Sequence, residues 1–344
     1  MKVVQIDPIT SENWQTFIDR HSGATVFHHP SWLQVLKRQY NFEVFAICVL
    51  DKMGSIKAGI PFCKVRSITN RYKWVSLPYS DHCEILYHDV DDVGRILEYL
   101  IVNCKTKHVH TIEIRSKIPG NHDFQESTDM VIHRLELNKD PEEIRSKFKS
   151  SHDRGIRKAL KSDLKVDRSR SKTALHEFYR LHIKTRSKLG VPIQPKRYFD
   201  HLYEQLFKEN IGFIMMILKG NKAIAASVFL DYGTSFVFKY GASDTSYLGL
   251  RPNNFLFWSA IREACERDFK YFDFGRTDTV QLNLRRFKSG WGATEKALSY
   301  SFYPQVAEND FFHFSKEKIV TPLLKRSPEF ICRLTGELLY RFFP

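Results

Sequence analysis

FVFKYGASDTSYLGLRPNNFLFWSAIREACERDFKYFDFGRTDTVQLNLRRFKSGWGATEKALSY, Phe236–Tyr300, decides the fold. It reads as a strand, a Gly/Pro/Asn loop, a long helix over Asn253–Asp268, and a strand Tyr271–Phe274 that ends at Gly275. A loop leading from a strand into a helix N-terminus presents unpaired N–H groups at the positive end of the helix dipole. Such a place suits a phosphate or a developing oxyanion. Arg251, Asn253 and Asn254 stand at that mouth and are expected to hold the phosphate of a donor, with Tyr240 at the end of the preceding strand. Past D-F-G-R, Arg285, Arg286 and Lys288 add cations beside two glycines and Trp291. An ammonium between Phe287 and Trp291 is well placed to meet negative charge. The plainer reading of F-K-S-G-W-G is a glycine turn packed by two aromatics.

Working backwards, Gly212–Leu218 and Ala223–Asp231 flank the tight turn Lys219-Gly220-Asn221, and Ser235–Tyr240 follows as a third strand. The first half shows the same plan. Strands are expected at Phe42–Leu50, Ile56–Val65 and Trp74–Tyr79, a helix at Asp91–Lys105 with one apolar stripe, and a closing strand at Thr111–Arg115. Two short helices, Thr10–His21 and Pro30–Tyr40, precede them. Five elements in one order twice point to duplication of a strand-strand-strand-helix-strand unit. The expected class is α/β (an α+β mixed sheet), with two lobes and helices on both sheet faces. The expected division is 1–135, 136–304 and a helical tail 305–344.

A helical segment of different character separates the halves: Glu142–Asp163, then Thr173–Lys188 and Lys196–Glu209. From Arg145 to Lys172 eleven Lys or Arg stand against three Asp, so over half of the net charge of +14 lies in that run. It is either a solvated helix face or a docking site for a polyanion. Arg154 and Arg157 are the candidates there for binding acceptor or donor phosphates.

Several chemistries are excluded. The sequence has no Walker loop, no G-x-G-x-x-G after a strand, no H-E-x-x-H and no G-x-S-x-G. His28-His29 and His108/His110 lack a third ligand at metal spacing, so no metal is expected. The six cysteines form no C-x-x-C pair and read as buried free thiols of a reducing compartment. The N-terminus turns polar too early for a signal peptide, and no apolar run approaches the ~20 residues that span a bilayer. A cytoplasmic protein is expected, peripheral to the inner face of the membrane at most.

The stretches FHHPSWLQVLKRQYNFEVFAICV, LPYSDHCEIL, IRKALKSDLKV, FYRLHIKTRSKLGVPIQPKRYF, YGASDTSYLGLRPNNFLFWSAI, FDFGRTDT and FKSGWGATEKALSY resemble the FemAB-like branch of the GNAT acyltransferase superfamily. That branch includes peptidoglycan-bridge aminoacyltransferases and relatives associated with exopolysaccharide systems. The resemblance spans residues 10–304 and implies tandem GNAT-like lobes, with the acceptor on the first and the acyl donor on the second. In the Fem enzymes the lysine of F-K-x-x-(F/W)-G stabilises the tetrahedral intermediate, and by that motif it falls on Lys288. The family depends on no single strong general base. Asp273 is the candidate to orient Arg276 or the incoming amine, or else a carboxylate capping N–H groups at the strand end. Acceptor-side candidates are Tyr79, Asp81 and Trp291.

Two departures bear on the donor. The helical hairpin of some tRNA-dependent Fem proteins is absent. The acyl-CoA loop (Q/R)-x-x-G-x-(G/A) would fall on Tyr247–Asn253, where Pro252 and a missing second glycine deny close backbone approach. The donor is therefore either acyl-CoA or aminoacyl-tRNA, and no resident cofactor is expected. The acceptor is an amine on a glycan or a lipid-linked precursor, and the oligomeric state is left open. Phe330, Ile331, Leu334, Leu338 and Leu339 at helical spacing in the tail suggest packing on the core or on an anionic membrane. The rival functions are an acyl-CoA N-acetyltransferase for a small sugar amine and a non-catalytic binder of nucleic acid or anionic membrane.

Overall fold

The computed structural model describes residues 1–67, 70–118, 123–304, 332–333, 335–337 and 340. They fall into two compact units. One holds Met1–Asp129 and returns to take 298–304; the other holds Met130–Ala297. The expected tail helix lies mostly outside the described residues.

The first unit begins with strand β1 (Lys2–Ile6), then helices α1 (Glu12–Arg20) and α2 (Pro30–Tyr40). Ser11 caps α1 by accepting from the Trp14 N–H, and Pro30 opens α2, where a missing N–H costs nothing. Next come β2 (Glu43–Leu50), β3 (Ile56–Arg66), β4 (Tyr72–Val75), the two-residue β5 (Leu86–Tyr87), α3 (Val90–Thr106), β6 (Thr111–Ile114) and β7 (Gln125–Glu136). Strands β1 to β4 form an antiparallel run, and β4 then pairs in parallel with β6. Helix α3 is the right length to make that parallel crossover. It buries Val93, Ile96, Leu97 and Leu100 against Phe45, Ile47, Ile60 and Phe62 of the sheet.

The second unit contains α4 (Pro141–Ser146), α5 (Ser150–Leu160), β8 (Leu164–Ser169), α6 (Lys172–Leu189) and α7 (Lys196–Leu202), which runs on into a π-helical turn at Tyr203–Phe207. Then follow β9 (Phe213–Lys219), β10 (Lys222–Tyr232), β11 (Ser235–Ser243), α8 (Pro252–Glu266), β12 (Tyr271–Asp278), α9 (Leu282–Ser289) and β13 (Thr294–Tyr303), whose residues from Leu298 onward belong to the first unit. Here β8 to β11 are antiparallel neighbours, and β11 pairs in parallel with β12.

The repeat is longer than its sequence suggests. The order β1-α1-α2-β2-β3-β4-α3-β6 returns as β8-α6-α7-β9-β10-β11-α8-β12. Even the turn leaving the crossover helix is copied. Lys107 N–H bonds Asn103 O and Val109 N–H bonds Cys104 O; Arg267 N–H bonds Glu263 O and Phe269 N–H bonds Ala264 O. His108 and Asp268 hold the same left-handed place, at φ 52° and 61°. The last strand of each sheet comes from the other repeat, because β13 pairs with β6 and β7 pairs with β12.

Four expectations need correction. Strand β4 ends at Val75, not Tyr79, since Leu77 and Tyr79 take left-handed backbone at φ 69° and 62°. The segment Glu142–Asp163 is two helices rather than one. Strand β12 continues through Gly275 to Asp278. F-K-S-G-W-G is the end of helix α9 and the turn after it. Strands β1, β7, β8 and β13 were not expected. Edge strand β8 (LKVDRS) carries three charges, as exposed edges do, and so lacks a strong apolar signature.

Candidate functional site

The parallel ladder between β11 and β12 joins Ser235–Val237 to Tyr271–Asp273 and then ends, well before either strand does. Strand β11 stays paired with β10 as far as Ser243, and β12 with β7 as far as Asp278. The two strands thus diverge and leave a gap in the sheet, bordered by backbone edges 238–243 and 274–278.

On the β12 side the register against β7 slips between Asp273 and Arg276, forming a bulge at Phe274-Gly275. Gly275 sits at φ 69°, a left-handed position that glycine takes without strain. The bulge is fixed from three directions. Buried Asp273 accepts the Gly275 N–H at 2.7 Å through Oδ1 and Arg134 Nε at 3.1 Å through Oδ2. Lys288 Nζ, on α9, donates to Gly275 O at 2.9 Å and Arg276 O at 3.0 Å. Only 4% of Lys288 is exposed, so its ammonium is a fixed positive charge beside the end of β12. Asp273 takes the capping geometry foreseen as the alternative to orienting Arg276, and the Arg276 carbonyl is what meets Lys288.

His133 of β7, with no exposed surface, stands opposite the bulge, a residue that sequence reasoning missed. Its Nε2 lies 3.0 Å from Glu295 Oε2. Glu295 in turn takes Arg285 at 2.6 and 3.0 Å, while Arg285 also donates to Thr279 O at 2.8 Å. Burial, and next the Lys288 charge, push the His133 pKa down against the pull of Glu295. The Arg285 ion pair holds the Glu295 carboxyl below its ordinary range. No sequence spacing links β7 to β13, so this cluster could emerge only from the fold.

On the β11 side, Asp244 accepts from the Ser246 side chain and from its N–H, capping a 3-10 turn over Thr245–Leu250. These bonds and Lys184 at 3.3 Å bring its pKa down to about 2. Exposed Arg251 then takes left-handed backbone at φ 62° and leads into α8. Helix α8 has no side-chain N-cap, so the amides of its first turn face the loop. Asn253 Nδ2 reaches Ser243 Oγ at 3.4 Å. Asn254 is turned instead towards α5, with Nδ2 3.3 Å from His152 Nδ1. Its side chain fits because position 155 is glycine: a Cβ there would meet Asn254 Cγ at 2.7 Å. Tyr240 shares a hydrogen bond with Tyr198 at 2.9 Å, and its ring packs on Phe199 and His182.

His152 explains how the basic segment is docked. The Phe287 carbonyl accepts from Nε2 at 2.8 Å, so Nδ1 is the acceptor for Asn254. The imidazole stacks on Trp291 at 4.4 Å, and burial lowers its pKa. Trp291 has no exposed surface and also packs on Phe148, so it is a core residue with no face for an acceptor. Five cations of the basic run are ion-paired: Arg145 and Arg157 with Asp153, Lys147 with Glu143, Arg168 with Glu263, and Lys172 with Glu204. Arg154, Lys158 and Lys161 are exposed.

In the first unit, Tyr79 stacks on Tyr40 with ring centres 4.7 Å apart, and the Asp81 carbonyl accepts from Tyr300 OH at 2.7 Å. Among the described residues, no group of His, Cys, Asp and Glu is arranged to hold a metal, and no helix is long and apolar enough to cross a membrane. All six cysteines are free and buried.

Residues 146–289 match the acetyltransferase (GNAT) domain, so the second unit carries a GNAT-type acyltransferase domain. Solved structures share the fold along nearly the whole chain. The crystal structure of FemX is 14% identical, with TM-score 0.67, covering 92% of this chain and 100% of its own. The C-terminal domain (DUF2156) of a putative lysylphosphatidylglycerol synthetase from Agrobacterium fabrum is 9% identical, with TM-score 0.58, covering 90% and 96%. A tandem GNAT protein from the clavulanic acid biosynthesis pathway is 6% identical, with TM-score 0.54, covering 89% and 99%. The chain thus has a tandem GNAT-like fold. No curated protein matches the sequence.

Proposed function

We propose that this protein is an N-acyltransferase that moves an acyl or aminoacyl group onto an amine of a cell-envelope glycan or its lipid-linked precursor. The observation that carries this reading is the fixed, buried ammonium of Lys288 beside the gap between β11 and β12. In the reaction the acceptor nitrogen attacks the donor carbonyl carbon, and the carbonyl oxygen gains negative charge. A cation already held in place by two backbone carbonyls needs no reorganisation to oppose that charge. Collapse of the intermediate then breaks the bond to the sulfur of CoA or to the ribose oxygen of tRNA, and the proton released by the acceptor nitrogen ends on that leaving atom. The diverging stretches 238–243 and 274–278 border the gap in which the donor would lie, and the first turn of α8 with Arg251 and Asn253 offers donors to its phosphates. Exposed Arg154 extends the positive field towards phosphate groups, with Arg157 weakened in that role by Asp153.

FemX and the lysylphosphatidylglycerol synthetase domain share the fold, and their names are what direct the acceptor reading towards the envelope. The test is acyl transfer from acyl-CoAs and aminoacyl-tRNAs to amino-sugar and lipid-linked acceptors by wild type and Lys288→Met. The expected loss in the variant is about 100- to 1000-fold, of the size seen when one oxyanion donor is removed. Equal rates from a folded Lys288→Met would remove Lys288 from the chemistry.

A further inference from the structure

We propose that the first unit carries a second binding site, for a small phosphorylated molecule, in a cavity at the exit of α3. The cavity measures about 620 Å³ and is lined by Arg71, Tyr72, Lys105, His108, His110 and Tyr303 among others. Among the described residues, its lining holds two permanent cations and two imidazoles, and no carboxylate. Arg71 Nη1 lies 3.2 Å from His110 Nε2. A guanidinium only donates, so Nε2 is the acceptor and the His110 proton sits on Nδ1. The volume exceeds that of a phosphate group. Tyr72 and Tyr303 provide ring surface for the remainder of a phosphomonoester.

The second repeat shows that the fold does not require this hole. The two helix exits share their hydrogen bonds and their left-handed residue, yet Val109 in the first stands where Phe269 stands in the second. Phe269 packs edge-on against Phe236 with ring centres 5.5 Å apart and lies beneath Arg267. Asp268, in the place of His108, is paired with Lys139 at 3.2 Å. The second repeat therefore fills the position with a ring and balances its charge. The first leaves it open and lines it with cations. The strained backbone of His108 is not part of the case, because Asp268 shares it.

The site is separate from Lys288 and stands or falls without the acyltransferase reading. The experiment is a titration of inorganic phosphate at constant ionic strength, followed through the imidazole NMR signals of His108 and His110. The expected result is a saturable shift, weakened at least tenfold in Arg71→Ala/Lys105→Ala and unchanged in Lys288→Met. Both substituted residues are exposed, so the double variant should keep its melting temperature. Val109→Phe, which copies the second repeat, should abolish the shift. A shift that fails to saturate, or that survives intact in the double variant, would overturn the proposal.

Discussion

The two repeats treat the same place in the sheet in opposite ways. In both, a parallel ladder of three residues joins the third strand to the strand after the crossover helix, and then stops. Counted from the start of those ladders, Arg115 of the first repeat stands where Gly275 stands in the second. Arg115 is 1% exposed and fills its gap. Its N–H bonds Ser76 Oγ at 2.7 Å, its guanidinium bonds Ser80 O at 2.8 Å and Glu113 at 2.9 Å, and its carbonyl accepts the Cys83 N–H at 3.0 Å. The loop 76–83 is thereby sewn across the opening. Gly275 has no side chain to place there, and Lys288 holds its carbonyl. The repeats thus have equivalent openings; Arg115 and the loop 76–83 close one, and the other is the one proposed to admit a ligand.

Among the substitutions, breaking the filled opening should have the largest effect. Arg115→Ala leaves the buried Ser80 carbonyl and the part-buried Glu113 carboxylate without their partner, at a cost of roughly 3 kcal/mol. Urea unfolding measures it, and a loss under 1 kcal/mol would show that the loop does not depend on Arg115. Acid acts on several buried groups at once. Burial takes the pKa of His28 and His29 from 6.5 to about 4, and that of His182 to about 3. These groups bind fewer protons folded than unfolded, so their contribution is complete above the unfolded pKa near 6.5. It is lost as pH falls from 6.5 towards 4, at up to roughly 1.4 kcal/mol per pH unit for each. His28 and His29 belong to the first unit, and His182, with His133 and His152, to the second, so acid should weaken both. A melting temperature that holds or rises between pH 6.5 and 4.5 would contradict this.

Making the open gap resemble the filled one sharpens the comparison at smaller cost. Gly275→Ala forces a Cβ into left-handed backbone, for about 1–2 kcal/mol of stability, and should lower donor binding as well. Binding unchanged by Gly275→Ala would mean the donor lies elsewhere. The smallest effect on the fold belongs to Arg154→Ala. Its side chain is exposed, so the melting temperature should not move, while affinity for a phosphate-bearing substrate should fall at low salt and converge with wild type at high salt. Equal affinity at low salt would assign the basic face to solvation alone.

Much of this organisation could be read from residue order. Alternating apolar runs around Lys219-Gly220-Asn221 and the stripe Val93, Ile96, Leu97 and Leu100 gave the repeat, because burial on one face imposes its period. Other parts were hidden for physical reasons. β7 begins QESTDM, a polar face that no core demanded, and its partner β12 lies far along the chain. Trp291 was expected on the acceptor side. In fact a Cβ at Gly290 would fall 2.5 Å from His152 Nε2, so that glycine exists to let the imidazole reach Trp291. Asp273 was placed at the right strand, but only the bulge shows that it holds the Gly275 amide. The His133–Glu295–Arg285 cluster joins three elements with no shared motif, and pairwise spacing carries no trace of it.

Hydrogen–deuterium exchange with a bound donor tests the central claim most directly, because it compares the two openings in one sample. Saturating acyl-CoA or aminoacyl-tRNA, whichever supports transfer, should slow exchange in residues 238–243 and 274–278 and leave 76–83 unchanged. Protection of 76–83, with 238–243 and 274–278 exchanging as in the free protein, would place the donor in the first repeat and contradict the account.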